Sequence, residues 1–411
     1  MTAANRLLIS IAGFWLCWCQ TTALAEPWHQ LPVTPLNSSA MLLDLRRLDR
    51  GEQLVDRAAL TGGGRIQVVI NLHVRLSDEL EVFQYGLLRD RTKSWTDLRN
   101  FTPMDEDLSR HFERQLQRVF ARANEQDLDV AVLPHLDAAG PVQVWRNEFR
   151  FDPRQRIDGH SYQSAMIEPI VEALAATNDD KRRVWLALSG EMGRSLFEHP
   201  ASYQHVVRQV RTALPADRTQ VGVSLNHNEL AGGHQQSADQ RVAMQDFLEA
   251  CDFIGVSCYR PFTPPARPAN FAETARVFRA EFRDYGLRYP VAAALHFSEV
   301  GIGGVSESGA WGDPLAAANA PWQGVARGQK SPWASWPMQR LRRDYYASLL
   351  AYLRDDAEPY RPEAAFMWSE GSWEPMGVDQ RQFSDRQIIR EVLRHNLNAA
   401  QVAKTKESES N

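Results

Sequence analysis

Two glutamates close apolar runs in this chain. The stretch LHFSEVGIGG (295–304) is apolar through Phe297, presents Glu299, and then dissolves into glycine. RVWLALSGE (183–191) ends in a similar way, on Gly190 and Glu191. A carboxylate at the end of a buried run is costly unless it has partners or a task. Two carboxyl groups facing each other can share one: the first, kept protonated, donates to a departing oxygen, while the second, kept ionised, faces the carbon left behind. Glycoside hydrolysis needs that pair, with surroundings that hold the acid's pKa high and its partner's low. For Glu191 alone, a salt-bridged acid at a loop start is the plainer reading, and Glu370 and Glu307 compete with Glu299 as nucleophile.

Such a pair must be carried by elements that end at one place. Eight short apolar runs alternate with helical patterns: 39–45, 65–74, 129–137, 183–191, 220–228, 252–259, 290–299 and 364–370. Between them, spacing such as Leu108, Phe112, Leu116, Val119 and Phe120 marks one face of a helix. Helices are expected at 51–61, 160–177, 201–214, 239–250, 271–285, 337–354 and 385–396, with Pro169 starting, kinking or splitting its segment. Strict alternation with near-continuous apolar strands predicts a parallel sheet covered by helices. Eight units close a (β/α)8 TIM barrel, an α/β fold forming a single domain with long βα loops. A doubly wound open sheet is the alternative, weakened by the lack of a G-x-G-x-x-G or a Walker loop. Segment 75–104 reads as a long polar loop.

In such a barrel the site lies at the C-terminal strand ends, and six runs end in functional side chains. They bring His135 and Asp137, Glu191, Asn226 and His227, Tyr259, His296 and Glu299, and Trp368 and Glu370 to one rim. Tyr259 is the expected donor that holds Glu299 as a carboxylate. Runs four and seven face each other across the mouth. His135, His296 and Asp137 are also weighed as metal ligands, but no H-E-x-x-H or H-x-H pair supports a metal centre. Arg146, in VWRNEF, contacts a sugar hydroxyl or a carboxylate, or pairs with Glu148. Trp368 and Trp373 suit the C–H face of a pyranose, packing in the core being the other reading. Trp311, Trp322, Trp333 and Trp336 in the loop 300–336, at least two of them expected to pack that loop onto the barrel, with Phe83, Tyr85, Trp95 and Phe101 in the second loop, suggest several sugar subsites.

These stretches resemble a known group. VLPHLD (132–137), LSGEMG (188–193), DFIGVSCYRPF (252–262), HFSEVG (296–301) and FMWSEG (366–371) resemble the retaining (β/α)8-barrel clan of glycoside hydrolases, most of all glycoside hydrolase family 113, known for β-mannanases. The resemblance implies Glu191 as acid/base, Glu299 as nucleophile, Tyr259 orienting the nucleophile and Trp368 as sugar platform. Gly190 departs from the pattern, since much of the clan has Asn before the strand-four Glu.

The remaining features bound partners and location. Residues 1–25 carry Arg6, the apolar LLISIAGFWLCWC and TTALA, the pattern of a secretory signal peptide cleaved after Ala25. An uncleaved anchor is the alternative, but the run is short for a span of about 20 residues. The expected organisation is a signal peptide at 1–25, one domain at 26–397 and a disordered tail at 398–411, in a secreted or periplasmic protein without a stable membrane span. Net charge is −5 over the whole chain, and loss of Arg6 makes it more negative, which argues against nucleic acid or anionic membrane as partner. Cys251 and Cys258, seven apart on one strand, would lie roughly 23 Å apart, beyond the reach of a disulfide, so both are expected as buried thiols. No cofactor or metal is expected, and the partner is a polysaccharide or oligosaccharide bound by a monomer. The function expected is a retaining glycoside hydrolase acting on a β-linked polysaccharide, mannan-like or bacterial exopolysaccharide. A non-catalytic glycan-binding barrel in exopolysaccharide assembly or export is the alternative.

Overall fold

The computed structural model describes residues 32–177 and 181–410, with side chains to 405. The expected signal peptide lies outside the described residues. Eight parallel strands form the centre: β1 (Leu36–Leu42), β2 (Arg65–Leu76), β3 (Asp129–Ala138), β4 (Val184–Gly190), β5 (Thr219–Asn226), β6 (Phe253–Cys258), β7 (Ala294–Val300) and β8 (Ala364–Met367). Each pairs with its successor, and β1 pairs with both β8 and β2, Ser38 opposite Met367 and Ser39 opposite Gln67. The sheet therefore closes, as expected for a (β/α)8 barrel. Helices cover its outside, so the strands are buried on both faces and read as continuous apolar runs. Cys251 and Cys258 are buried free thiols.

Three local readings change, and the expected effect of Pro169 takes a definite form. Strand β1 ends at Leu42, because Asp44 leaves the strand to cap the short helix Leu45–Leu48, accepting from the Arg47 N–H. The polar segment 75–104 is not a bare loop: Val82–Leu88 pairs antiparallel with the top of β2, and Phe101–Pro103 pairs antiparallel with it in turn. Pro169 splits its segment into a π-helical turn, Gln163–Ile167, and an α-helix, Glu168–Ala176, whose first turn accommodates a proline. The tail expected to be disordered from Asn398 continues the last helix, Arg386–Ser410. Its Ala, Gln, Lys and Glu residues favour helix, and Ala399 still packs against the domain.

Two irregularities aim the candidate acids. Along β7, Phe297 lies opposite Val256, but Glu299 lies opposite Ser257, so Ser298 is an extra residue. Phe297 points outward, stacking on Tyr352 of the helix Trp336–Arg354. Unbroken alternation would send Glu299 the same way. Ser298 lies inward, against Ser224 two strands away, and the extra residue lets Glu299 turn to the mouth as well. On β4, Ala187 lies opposite Gly222 and Gly190 opposite Ser224, again one residue too many. Glu191 follows with φ of 56°, the left-handed region that side chains rarely adopt.

The last helix fastens the first strand. Asn396, buried, accepts from the Leu36 N–H at 2.9 Å and donates to the carbonyls of Leu36 at 2.9 Å and Thr61 at 2.7 Å. Asn396→Ala would leave these backbone groups unpaired, and we expect a loss of about 2–4 kcal/mol, read as a lowered denaturant midpoint at unchanged m-value.

Candidate active site

A cavity of about 1060 Å³ opens at the C-terminal ends of the strands, and both Glu191 and Glu299 line it. Asn226, Tyr259, Trp368 and Trp373 line it as well. These six residues singled out from the sequence thus share one opening.

Glu299 is buried. Its Oε2 accepts from the Tyr259 hydroxyl at 3.1 Å, the contact expected for that tyrosine. Its Oε1 lies 3.1 Å from Nε2 of His135 but out of line for a hydrogen bond. Burial pushes its carboxyl group up to about 7, against the opposing influence of Arg146 and of the Tyr259 hydrogen bond.

Glu191 has different company. Its Oε2 accepts from Arg146 Nη1 at 2.9 Å and from the Trp145 indole at 3.0 Å, and among the described residues no hydrogen bond reaches Oε1. Arg146 also donates to Asp137 Oδ1 at 2.7 Å and to the Leu136 carbonyl at 3.1 Å, so its guanidinium is fully engaged. It holds carboxylates rather than a sugar hydroxyl, and it pairs with Glu191 and Asp137, not Glu148. Burial alone would raise Asp137, but Arg146, Arg91 and His73 together hold it well below the usual carboxylate range. Asp137 therefore anchors Arg146. Arg146 thus bonds Glu191 directly and reaches Glu299 only through its field, the reverse of the distribution expected for an acid and its nucleophile.

His135 is fully buried beneath Trp368, stacked at 5.6 Å, and does not line the cavity. Burial, with Arg146, pushes its ring down to about 3, so it is neutral. Its place explains the Gly190 departure. A Cβ at 190 would lie 2.2 Å from the His135 ring and 2.8 Å from the Pro134 carbonyl, so no side chain fits there. His296 is not at the rim. It stacks on Phe253, the first residue of β6, at 4.4 Å, and the charge that acts on it is Arg65, the first residue of β2. Its partner on β6 is Gly255, two ladder steps below Ser257, the partner of Glu299, so it belongs to the barrel floor. The set His135, Asp137 and His296 is therefore not assembled, and among the described residues no group of three or more His, Cys, Asp or Glu is placed to hold a metal ion.

The aromatic expectations divide. Trp322 lines the cavity, whereas Trp333 is buried, its indole donating to the Ser372 carbonyl at 2.7 Å. Tyr85 and Phe101 are core residues of the hairpin. Glu307 is exposed. Glu370 lines the cavity but lies between Arg47 and Arg91, 3.4 Å from each. Sequence reading missed Trp145, whose neighbour Arg146 drew attention to that loop, and the arginines of the first two loops, which carry no motif.

The raised Glu299 has a consequence for stability. A carboxyl group raised by folding favours the folded state below its unfolded pKa, and that contribution is lost as pH climbs through the folded value. We expect Glu299→Gln to be more stable than the parent at pH 8 by a few kcal/mol, with the gap closing as pH falls from 7 towards 4.5, measured by denaturant titration across pH.

No protein-family model matches the chain, and no curated protein matches it. Solved structures do. The GH113 β-mannanase AaManA from Alicyclobacillus acidocaldarius, in complex with ManMIm, matches with a TM-score of 0.54 at 15% identity, over 89% of this chain and 98% of that one. A GH113 β-1,4-mannanase matches at 0.49 and 13%, over 89% and 99%. A glycoside hydrolase family 5 mannosidase from Rhizomucor miehei, in complex with mannosyl-fructose, matches at 0.49 and 10%, over 92% and 95%. The chain is similar to the first of these in fold, and the (β/α)8 barrel implied by the resemblance to family 113 is the architecture they share.

Proposed function

We propose that this chain is a retaining glycoside hydrolase that cleaves a β-linked polysaccharide. The observation that carries the reading is that Glu191 and Glu299, on strands facing each other across the barrel, open into one cavity walled by Trp145, Trp322, Trp368 and Trp373. The fold shared with a solved β-mannanase supports it. In this reading Glu299 attacks the anomeric carbon, and its bond to Tyr259 holds it in line. Glu191 delivers a proton from Oε1, the oxygen without a protein partner, to the departing oxygen. Arg146 and Trp145, both on Oε2, then stabilise the carboxylate that remains, the state that must activate water in the second step. The N-terminal pattern at 1–25 supports export to the periplasm or the medium.

The Arg146–Glu191 ion pair also favours a second reading, a barrel that binds glycan without cleaving it, because an acid catalyst must hold a proton beside that guanidinium. Incubation with β-mannans, β-glucans and bacterial exopolysaccharides, with product analysis and anomeric assignment by NMR, separates the two. We expect products of retained configuration and a loss of about a thousandfold or more in Glu299→Gln, with binding preserved. Absence of cleavage of every glycan that binds would establish the second reading instead.

Glu299 must be ionised to attack. We therefore expect kcat/KM to fall as pH drops through about 7. Tyr259→Phe removes a donor that favours the carboxylate, so this limb should move to higher pH in that variant, as measured by the pH profile of kcat/KM.

A further inference from the structure

One wall of the cavity is built unlike the rest. The loop after β1 brings Arg46, Arg47 and Arg50, the loop after β2 brings Arg91, and the long loop after β7 brings Arg327. Three separate segments converge guanidinium groups on one side of a concave opening, where low-dielectric walls strengthen their field.

The local carboxylates do not occupy all of them. Arg47 pairs with Asp379 at 2.9 Å and shares Glu370 with Arg91. Arg46 pairs with Asp90 at 2.7 Å, yet its side chain is 68% exposed. Arg50 donates only to the Gln53 side chain, at 3.3 Å. Arg327 makes no hydrogen bond or ion pair among the described residues, and both Arg50 and Arg327 act on the single carboxylate of Asp379. The opposite wall, beyond β6, carries Arg260, 3.8 Å from Glu273, and Glu281, with a buried carboxyl oxygen that no donor reaches. Burial, with Asp284 and Glu229, pushes that group up to about 8. The cations without a carboxylate of their own, Arg50 and Arg327, therefore lie on the β1–β2 side, whereas Arg260 on the opposite wall has Glu273 beside it and acts on Glu281. A neutral glycan held by stacking and hydroxyl contacts has no use for such a wall, whereas a guanidinium pairs with a carboxylate through two parallel hydrogen bonds.

Resting on the glycan-cleaving site described above, we propose that the Arg50–Arg327 side of the cavity binds a carboxylate-bearing sugar residue, so that the substrate is an acidic polysaccharide laid with its negative charge towards β1 and β2. The carboxylate belongs either to a uronic acid in the main chain or to an acidic substituent on a neutral chain.

Binding to the full-length Glu299→Gln protein tests this without turnover. The probes are a β-1,4-linked mannuronate hexasaccharide, a succinylated β-1,4-mannohexaose and the neutral hexaose, titrated calorimetrically at low and high salt. We expect one acidic probe to bind at least about tenfold tighter than the neutral one at low salt, and its identity assigns the source of the carboxylate. High salt should narrow the difference, and adding Arg50→Ala with Arg327→Ala should bring the ratio close to one. Both positions are exposed, so the fold should be retained, as checked by circular dichroism. Equal or tighter binding of the neutral probe, binding of none of the three, or a ratio unchanged in the arginine variant would each overturn the proposal. Selective acidic binding in a parent protein that cleaves nothing would instead overturn the hydrolase reading alone.

Discussion

A closed cylinder of strands imposes period-two alternation on every residue that reaches its rim. Side chains one apart point to opposite faces, and only half of them see the opening. Glu299 shares its parity with Phe297, which is committed to the outer helix layer through Tyr352. The extra residue in β7 breaks that parity, and the extra residue in β4 does the same ahead of Glu191. Everything proposed for the site depends on these two breaks. Without them the barrel would keep its core and lose its facing acids.

Once aimed inward, the two carboxyl groups meet unequal surroundings. Glu191 is tied to a guanidinium that is itself anchored by Asp137, and Asp137 is approached by Arg91 at 3.7 Å. Arg91 reaches Glu370, and Glu370 reaches Arg47 and so Asp379. Charges of alternating sign thus run from β8 and its loop to β4, and each buried ion is offset by its neighbours. Glu299 stands outside this chain, with a tyrosine hydroxyl and a neutral imidazole for company. The division gives two chemically identical side chains different reactivity.

Much of this was legible in the residues. Eight β-branched or apolar runs in alternation with helical spacing specify a closed parallel sheet, because only burial on both faces permits such runs. Acids at the ends of the fourth and seventh runs point to the cavity that both of them line. The misplacement of His296 shows where the reading fails: the order of residues along an apolar run does not give their depth in the barrel, and His296 sits two ladder steps below Glu299, opposite Gly255 rather than Ser257. His135 was found but given the wrong environment, since nothing in VLPHLD tells that the missing side chain of Gly190 makes room for it. The arginine wall went unread because charges in loops ordinarily mean solvation, and convergence from three loops exists only in space. The hairpin within 75–104 was hidden for a related reason, its strands being short and its partner the overhanging end of β2.

The seam of the barrel joins residues far apart in the chain. Strand β1 leans on β8, over three hundred positions later, and Asn396 secures the same strand from the last helix. A sheet formed from the earlier strands alone would have two unsatisfied borders, because neither the eighth stave nor its fastening would yet be in place. Such borders invite pairing with other chains. A polypeptide built this way benefits from remaining unfolded until it is complete.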